Sequence, residues 1–511
     1  MLFPKMQKAS NFLSMQRYEL LMTLLIPLPV ILSGVLCRFL PHRAARLSTF
    51  LAWLSCLIAW AVALSGTMPS SVLFRIDHLT SVMICLVSFL GAVVIRFASR
   101  YLEGDAKQAT FLSWMSFTLS SVLTMVMVNH LLLLTATWWT TNWCLNRLLL
   151  HHPERPAAVF AARKKFVFSR VAESLLLLAA IWLYQGHGTW RIDELAMSIQ
   201  QGNFASLPEA AILLAICAML RSAQFPFHSW LPDTMDTPTP VSAFMHAGII
   251  NGGGFLVLRM STVFAAAPAS LHLLTIVGAF TAAFGALVML VQPGVKRALA
   301  YSTIAQMGFM MVQCGLGAWG LAVLHLVAHS LYKANAFLHA GSTIGAVSRE
   351  SVRLSVPSLL IGLLLGAGIS VAGVSGLDHF APHHPPVPVV FHLILALALA
   401  YGMARAWSAH RATFFKAVFV SCGVTAMVMV LHVVSEWFVA DFAQHVVPTW
   451  LMAMVSVVFI GLFLMQAMLW RTSRYGWGQR LYIHALNGFY LGVLANRWLN
   501  HLWPNKKSKN L

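Results

Sequence analysis

Charge is scarce in this sequence, and negative charge most of all. Of 511 residues only 10% are charged, and 15 Asp and Glu stand against 34 Lys and Arg. A soluble domain typically carries about 25% charged residues, and no polar block here is long enough to fold as a separate soluble domain. Cysteine is sparse too: seven residues, at 37, 56, 85, 144, 217, 314 and 422, with no CxxC and no Cys/His cluster. That argues against a disulfide framework, a zinc site or an iron–sulfur cluster in this chain. There is no GxxxxGK(S/T) loop, no GxGxxG after a strand, no metal-ligand spacing and no convincing nucleophile–base pair. The expectation is a chain that is not itself an enzyme and holds no cofactor or metal of its own.

What is abundant is apolar sequence, 59% of the chain. About fifteen stretches are long and apolar enough to span a bilayer, so the expected fold is an all-α integral membrane protein. The first, residues 19–39, lacks a small-residue cleavage site and reads as a retained span. With the N-terminus outside and the C-terminus cytoplasmic, 25 Lys and Arg fall on cytoplasmic loops and tail against 6 on the outer side. This positive-inside bias accounts for the +19 charge without nucleic acid, and points to a bacterial inner membrane. Residues 1–478 form the expected polytopic domain. Residues 479–511 mix apolar and basic residues at helical spacing, as a helix lying in the cytoplasmic interface against lipid does.

Two places interrupt the run of spans. AQFPFHSWLPDTMDTPTP, from Ala223, holds Pro226, Pro232, Pro238 and Pro240 with Asp233 and Asp236 between them. Proline removes a helical donor, and non-helical backbone at membrane depth survives only inside protein or beside a cavity, so a broken helix is expected. VAGVSGLDHFAPHHPPVP, from Val371, is a second candidate break, with Asp378 able to ionise in it. Paired interruptions of this kind mark transporters with internal repeats.

His325, His329 and Lys333 stand at strict four-residue spacing inside an apolar segment. On a helix they share one face, with about 6 Å of rise per step. A cation at the bilayer centre costs about 2.5–3.5 kcal/mol on insertion scales, so three on one stripe point to a proton or cation relay. His246, which follows the first break, is a further candidate member of that path. Glu173, deep in its span, needs a cation, and Arg170 and Arg221 are the candidates. Arginine does not release its proton near neutral pH, so Glu173 and Arg221 read as an electrostatic gate rather than relay stops.

HSWLPDTMDTPTPVSAFMHAGIINGG, GVKRALAYSTIAQMGFM and HLVAHSLYKANAFLHAGS resemble the antiporter-like membrane subunits of respiratory complex I, of the chain-5 or L type, and the large subunits of multisubunit cation/proton antiporters. The resemblance covers roughly residues 70–345. It implies two inverted five-helix repeats, each with a broken helix, and it places His246, His325, His329 and Lys333 on the family's proton path. There are departures. Trp139 stands where the family has a glutamate, Arg221 where it has a lysine, and the second-half lysine is not visible in GVSGLDHF. The long lateral helix of the chain-5 subunit is missing too. The altered chain, with its LYIHALNGFY tail, looks like the membrane subunit of the DAB inorganic-carbon accumulation complex. That resemblance implies a large cytoplasmic partner like a zinc β-carbonic anhydrase, and inward H⁺ or Na⁺ movement coupled to hydration of CO₂ to bicarbonate. A proton-pumping subunit of a respiratory NADH dehydrogenase and a cation/proton antiporter subunit are the alternatives.

Overall fold

The structure, a computed structural model, describes residues 20–343, 354–380, 387–409, 411–472 and 476–503. Among the described residues there is no β-strand, only helix, turns and three isolated bridges. Hydrocarbon dictates this: a spanning backbone has to pair its own N–H and C=O groups within the segment. About fifteen spans are expected from the sequence. Ten of the described helices are long and apolar enough to cross a membrane, and the others are shorter or more polar.

The chain divides into two compact units. The first comprises Met1–Ala223, Trp230–Ala267 and His329–His339. Its helices are α1 (Leu28–Phe39), α2 (Ala44–Leu64), α3 (His78–Tyr101), α4 (Gln108–Met127), α5 (Leu131–Leu149), α6 (Pro156–His187), α7 (Ile192–Gln200) and α8 (Leu207–Arg221), followed by the short α9 (Trp230–Asp233), α10 (Thr239–Ala247), α11 (Gly252–Arg259) and α12 (Ser261–Ala266). Asp77 caps α3 by accepting the Thr80 N–H at 2.8 Å, and Arg259 Nη1 donates to the same carboxylate at 2.7 Å. Pro156 occupies the first turn of α6, where its missing N–H costs nothing.

The first expected break is present. Between α8 and α10 the chain passes through a 3₁₀ turn at Phe227–Ser229, the four-residue α9 and another 3₁₀ turn at Thr234–Asp236. Pro232 lies in α9, and Pro238 and Pro240 lie at the start of α10. Side chains replace the lost ladder: Trp230 Nε1 donates to Leu220 O at 3.3 Å and Thr237 Oγ1 to Thr234 O at 2.8 Å. A second non-α step, Ile249–Asn251, directly follows the His246 helix.

The second unit comprises Gln224–Ser229, Pro268–Ala328 and Ala340–Leu511. It holds α13 (Pro268–Val291), α14 (Val295–Gly315), the first half of α15 (Trp319–Leu338), α16 (Val356–Phe380), α17 (Val389–Ala409), α18 (Arg411–Trp437), α19 (Thr449–Thr472), α20 (Gly476–Leu486) and α21 (Leu491–Leu502). The expected second break is not found in the described part of its stretch. α16 runs unbroken through Gly373 and Gly376 and carries Asp378 in its last turn. Without proline, each glycine costs only about 1 kcal/mol in a helix, which weakens the helix without ending it. Pro382, Pro385 and Pro386 lie outside the described residues. The expected interfacial helix is two helices, parted at Gly488–Tyr490, where Gly488 adopts φ +57°. The lipid-length helices of this unit present bare apolar side chains, with Leu364 76% and Phe419 82% exposed. Such a surface needs hydrocarbon, not water, around it.

Candidate functional site

In the first unit, one buried carboxylate collects three cations. Glu173 Oε2 lies 2.7 Å from Arg170 Nη2, and Oε1 lies 3.6 Å from Arg221 Nη2. Arg170 is thus the nearer partner and Arg221 the more buried. Asn142 Nδ2 donates to Glu173 Oε1, and Asn142 Oδ1 accepts from Lys165 Nζ at 2.8 Å. Glu173, Asn142 and Lys165 are at most 5% exposed. The result is a Lys–Asn–Glu–Arg chain running across α5, α6 and α8.

Lys165 is the residue that sequence reasoning missed. Lys164 and Lys165 count among the 25 Lys and Arg of the expected cytoplasmic loops and tail, whereas both lie inside α6 and are buried. Lys164 Nζ reaches Asp233 Oδ2 at 2.8 Å, which ties α6 to the broken segment. The signal was present: Pro156 after Arg155 marks a helix start, and it puts Lys164 and Lys165 more than two turns inside.

The tryptophans of α5 cover the arginines. Arg221 lies over the buried Trp138, 4.7 Å from the ring centroid, and Arg170 over Trp139 at 5.1 Å. Trp138 also packs against the start of α11, so closely that a Cβ on Gly252 would stand 3.1 Å from its ring. A Cβ on Gly253 would run into Ala218 O and Ser222 Oγ of the α8 end. These glycines are therefore where α11 closes on its neighbours.

One residue before Gly252, Asn251 Nδ2 donates to Ser330 Oγ at 2.7 Å. The His246 ring stacks on Phe337 with centroids 4.4 Å apart. Ser330, Lys333 and Phe337 lie within about 60° on α15, so Lys333 faces the segment that carries His246. His246 and Lys333 are fully buried and His329 is 4% exposed. His329 and Lys333 continue the stripe that begins at His325.

In the second unit, His325 Nδ1 lies 2.7 Å from Gln313 Oε1, and its ring lies 5.5 Å from that of Phe309. Phe309 forms one wall of a cavity of about 580 Å³ whose polar lining is Ser302, Gln306, Tyr401, Arg405 and Gln466. The volume is large enough for many waters. The unit also contains a pair that sequence reasoning passed over: buried His432, with Nδ1 3.5 Å from Glu436 Oε1 one turn on. Their i, i+4 spacing inside an apolar helix was the available signal. Asp378 lies in the last turn of α16.

Known proteins share this arrangement of helices. The family model described as "NADH:quinone oxidoreductase/Mrp antiporter, TM" matches residues 128–361, and "NADH-Ubiquinone oxidoreductase (complex I), chain 5 N-terminus" matches residues 46–112. The "Probable inorganic carbon transporter subunit DabB2" of Halothiobacillus neapolitanus is 35% identical over 86% of this chain and 83% of its own. The "Probable inorganic carbon transporter subunit DabB" of Hydrogenovibrio crunogenus is 34% identical over 84% and 83%. Among solved structures, the Mrp complex from Dietzia sp. DQ12-45-1b superposes with a TM-score of 0.67 at 22% identity, covering 94% of this chain and 59% of that one. That last likeness concerns the fold alone.

Proposed function

We propose a function for a chain that belongs to the family of antiporter-like membrane subunits containing the DabB inorganic carbon transporter subunits: it is the ion-conducting, energy-coupling subunit of an inorganic carbon uptake complex. Protons, or Na⁺, move inward past His325, His329, Lys333 and His246. Glu173, held between Arg170 and Arg221, sets the electrostatic gate, and Lys165 joins it through Asn142. The observation that carries this is the stripe on α15, in which buried His329 and Lys333 stand on one helix face with His325. Imidazole and amine side chains can each take up and release a proton, which a relay requires and an arginine does not offer.

The Trp139 and Arg221 replacements favour coupling over antiport. Arg221 is a fixed charge, so the first unit has no titrating group at that position, and Lys165 is the titratable amine left beside Glu173. Hydration of CO₂ takes place in a large cytoplasmic subunit like a zinc carbonic anhydrase. The N-terminus is outside and the C-terminus cytoplasmic.

The test is recovery of the tagged chain from its native membrane in mild detergent, with mass spectrometry of partners and zinc analysis. It is paired with growth in air of a carbonic-anhydrase-deficient host expressing the recovered set. A stoichiometric zinc-bearing cytoplasmic subunit and rescued growth are expected. Dehydrogenase subunits, or small hydrophobic antiporter subunits without zinc, would replace this function by one of the two alternatives.

A further inference from the structure

Away from the buried clusters, two loops of the first unit meet. One follows α3 and carries Asp105; the other follows α5 and carries His151, His152 and Glu154. His151 Nε2 lies 3.2 Å from Asp105 Oδ2, and His152 Nδ1 lies 2.9 Å from Glu154 Oε1. The two imidazoles stand edge to face with centroids 4.7 Å apart. One donor atom from each of Asp105, His151 and His152 falls within 4.8 Å of the other two. The donors of a tetrahedral zinc ion, with bonds of about 2.0–2.2 Å, are about 3.4 Å apart, so modest side-chain rotation closes the set.

The donors are held in place. Asp105 Oδ1 accepts the Lys107 N–H at 2.7 Å and its carbonyl accepts the Gln108 N–H at 3.0 Å, which leaves Oδ2 turned to His151. His151 is 7% exposed, and its ring packs edge-on against buried Phe111, 4.9 Å between centroids. Fixing of first-layer ligands by backbone and packing is what metal sites need. A simple hydrogen-bonded clasp between loops would account for His151 and Asp105. It gives no role to the second imidazole at 4.7 Å or to the second carboxylate behind it.

We propose that Asp105, His151 and His152 bind one divalent first-row transition ion, zinc being the one that fits, and that the ion fastens the α3–α4 loop to the α5–α6 loop. Two imidazoles and one carboxylate suit zinc, cobalt or nickel, and are too few oxygens and too much nitrogen for calcium or magnesium. Residues 46 positions apart make the pair, which is why spacing along the sequence did not reveal it. The inference is independent of the ion path and concerns a site in this chain, not in any partner.

The test uses the full chain, expressed without partner subunits and purified through a tag without histidine, then stripped with a chelator. Co²⁺ is titrated in with visible absorption as the readout, and Zn²⁺ is titrated in to displace it. One Co²⁺ per chain, displaced by Zn²⁺, is expected. His152→Gln and Asp105→Asn should each weaken binding by about 10-fold or more. His152 is partly exposed and Asn keeps the oxygen that accepts from Lys107, so both variants should elute as the parent does. Zn²⁺ should raise the unfolding temperature of the parent and not of His152→Gln. Sub-stoichiometric uptake by the parent, or uptake unchanged in both variants, would overturn the proposal.

Discussion

The two units treat polarity in opposite ways. In the first, charge is locked: Glu173 sits between two arginines, Lys165 reaches it through Asn142, and Lys164 is paired with Asp233. In the second, the cavity that ends at Phe309 beside His325 is lined by neutral Ser302, Gln306, Tyr401 and Gln466, with Arg405 as its charge. Desolvating an ion costs several kcal/mol even after relaxation, so a buried charge cluster survives only if every member is paired. A water-holding cavity needs only hydrogen-bonding groups along its wall. The first unit thus carries a locked charge cluster as well as His246, His329 and Lys333, and the second a polar-walled cavity bordered by Phe309, which packs on His325.

The largest expected effect comes from the group where transport and field meet. Lys333→Ala should reduce ion-driven carbon uptake by about 100-fold or more, the scale of losing a positioned proton carrier, while membrane levels stay unchanged. Lys333→Arg is the sharper probe, because it keeps the charge and loses the exchangeable proton. Full uptake in the arginine variant would show that Lys333 supplies field only, and the first unit would then carry no proton through that lysine.

Glu173→Gln comes next. It leaves Arg170, Arg221 and Lys165 facing one another without their shared anion. Removing one partner of a buried pair costs about 3 kcal/mol or more, so a clear fall in the unfolding temperature in detergent is expected. An unchanged unfolding temperature would mean that water already screens the cluster and that its charges are not locked.

Much of this was legible beforehand, for reasons visible in particular residues. The helices, the break at Pro226–Pro240 and the stripe from His325 to Lys333 follow from hydropathy, proline chemistry and 3.6-residue periodicity, which act locally. Membership in the antiporter-like family was legible in three long motifs. Lys165 was not, because its charge outweighed the Pro156 start signal and drew it into a loop. α16 runs on through the glycines of the second candidate break because glycine weakens a helix without stopping it, and most of the prolines of that stretch lie outside the described residues. His432 with Glu436 was legible as an i, i+4 pair and was passed over, whereas the meeting of Asp105 with His151 depends on a tertiary contact that no local pattern carries.

Lys165 then gives a test of moderate size. Lys165→Met keeps the volume and removes the ammonium. If Lys165 only fills space, an apolar replacement is neutral or stabilising. If it titrates beside Glu173, losing one charge-assisted hydrogen bond should slow uptake about tenfold. Initial rates of uptake with matched membrane levels separate the two.

The smallest effect is expected in the second unit, and its smallness is informative. Gln306→Leu removes one polar group from a cavity wall that retains Ser302, Tyr401 and Gln466. If water in that cavity hydrates the approach to His325, one lost hydrogen bond of about 0.5–1.5 kcal/mol should slow uptake between about twofold and tenfold, with no loss of stability, since leucine fills apolar surroundings well. The neighbouring Phe309 wall stays in place, so His325 keeps its contact with Gln313. A fall as large as that of Lys333→Ala would mean that Gln306 carries the ion itself. The second unit would then hold a discrete ion site where its geometry shows a polar-walled cavity.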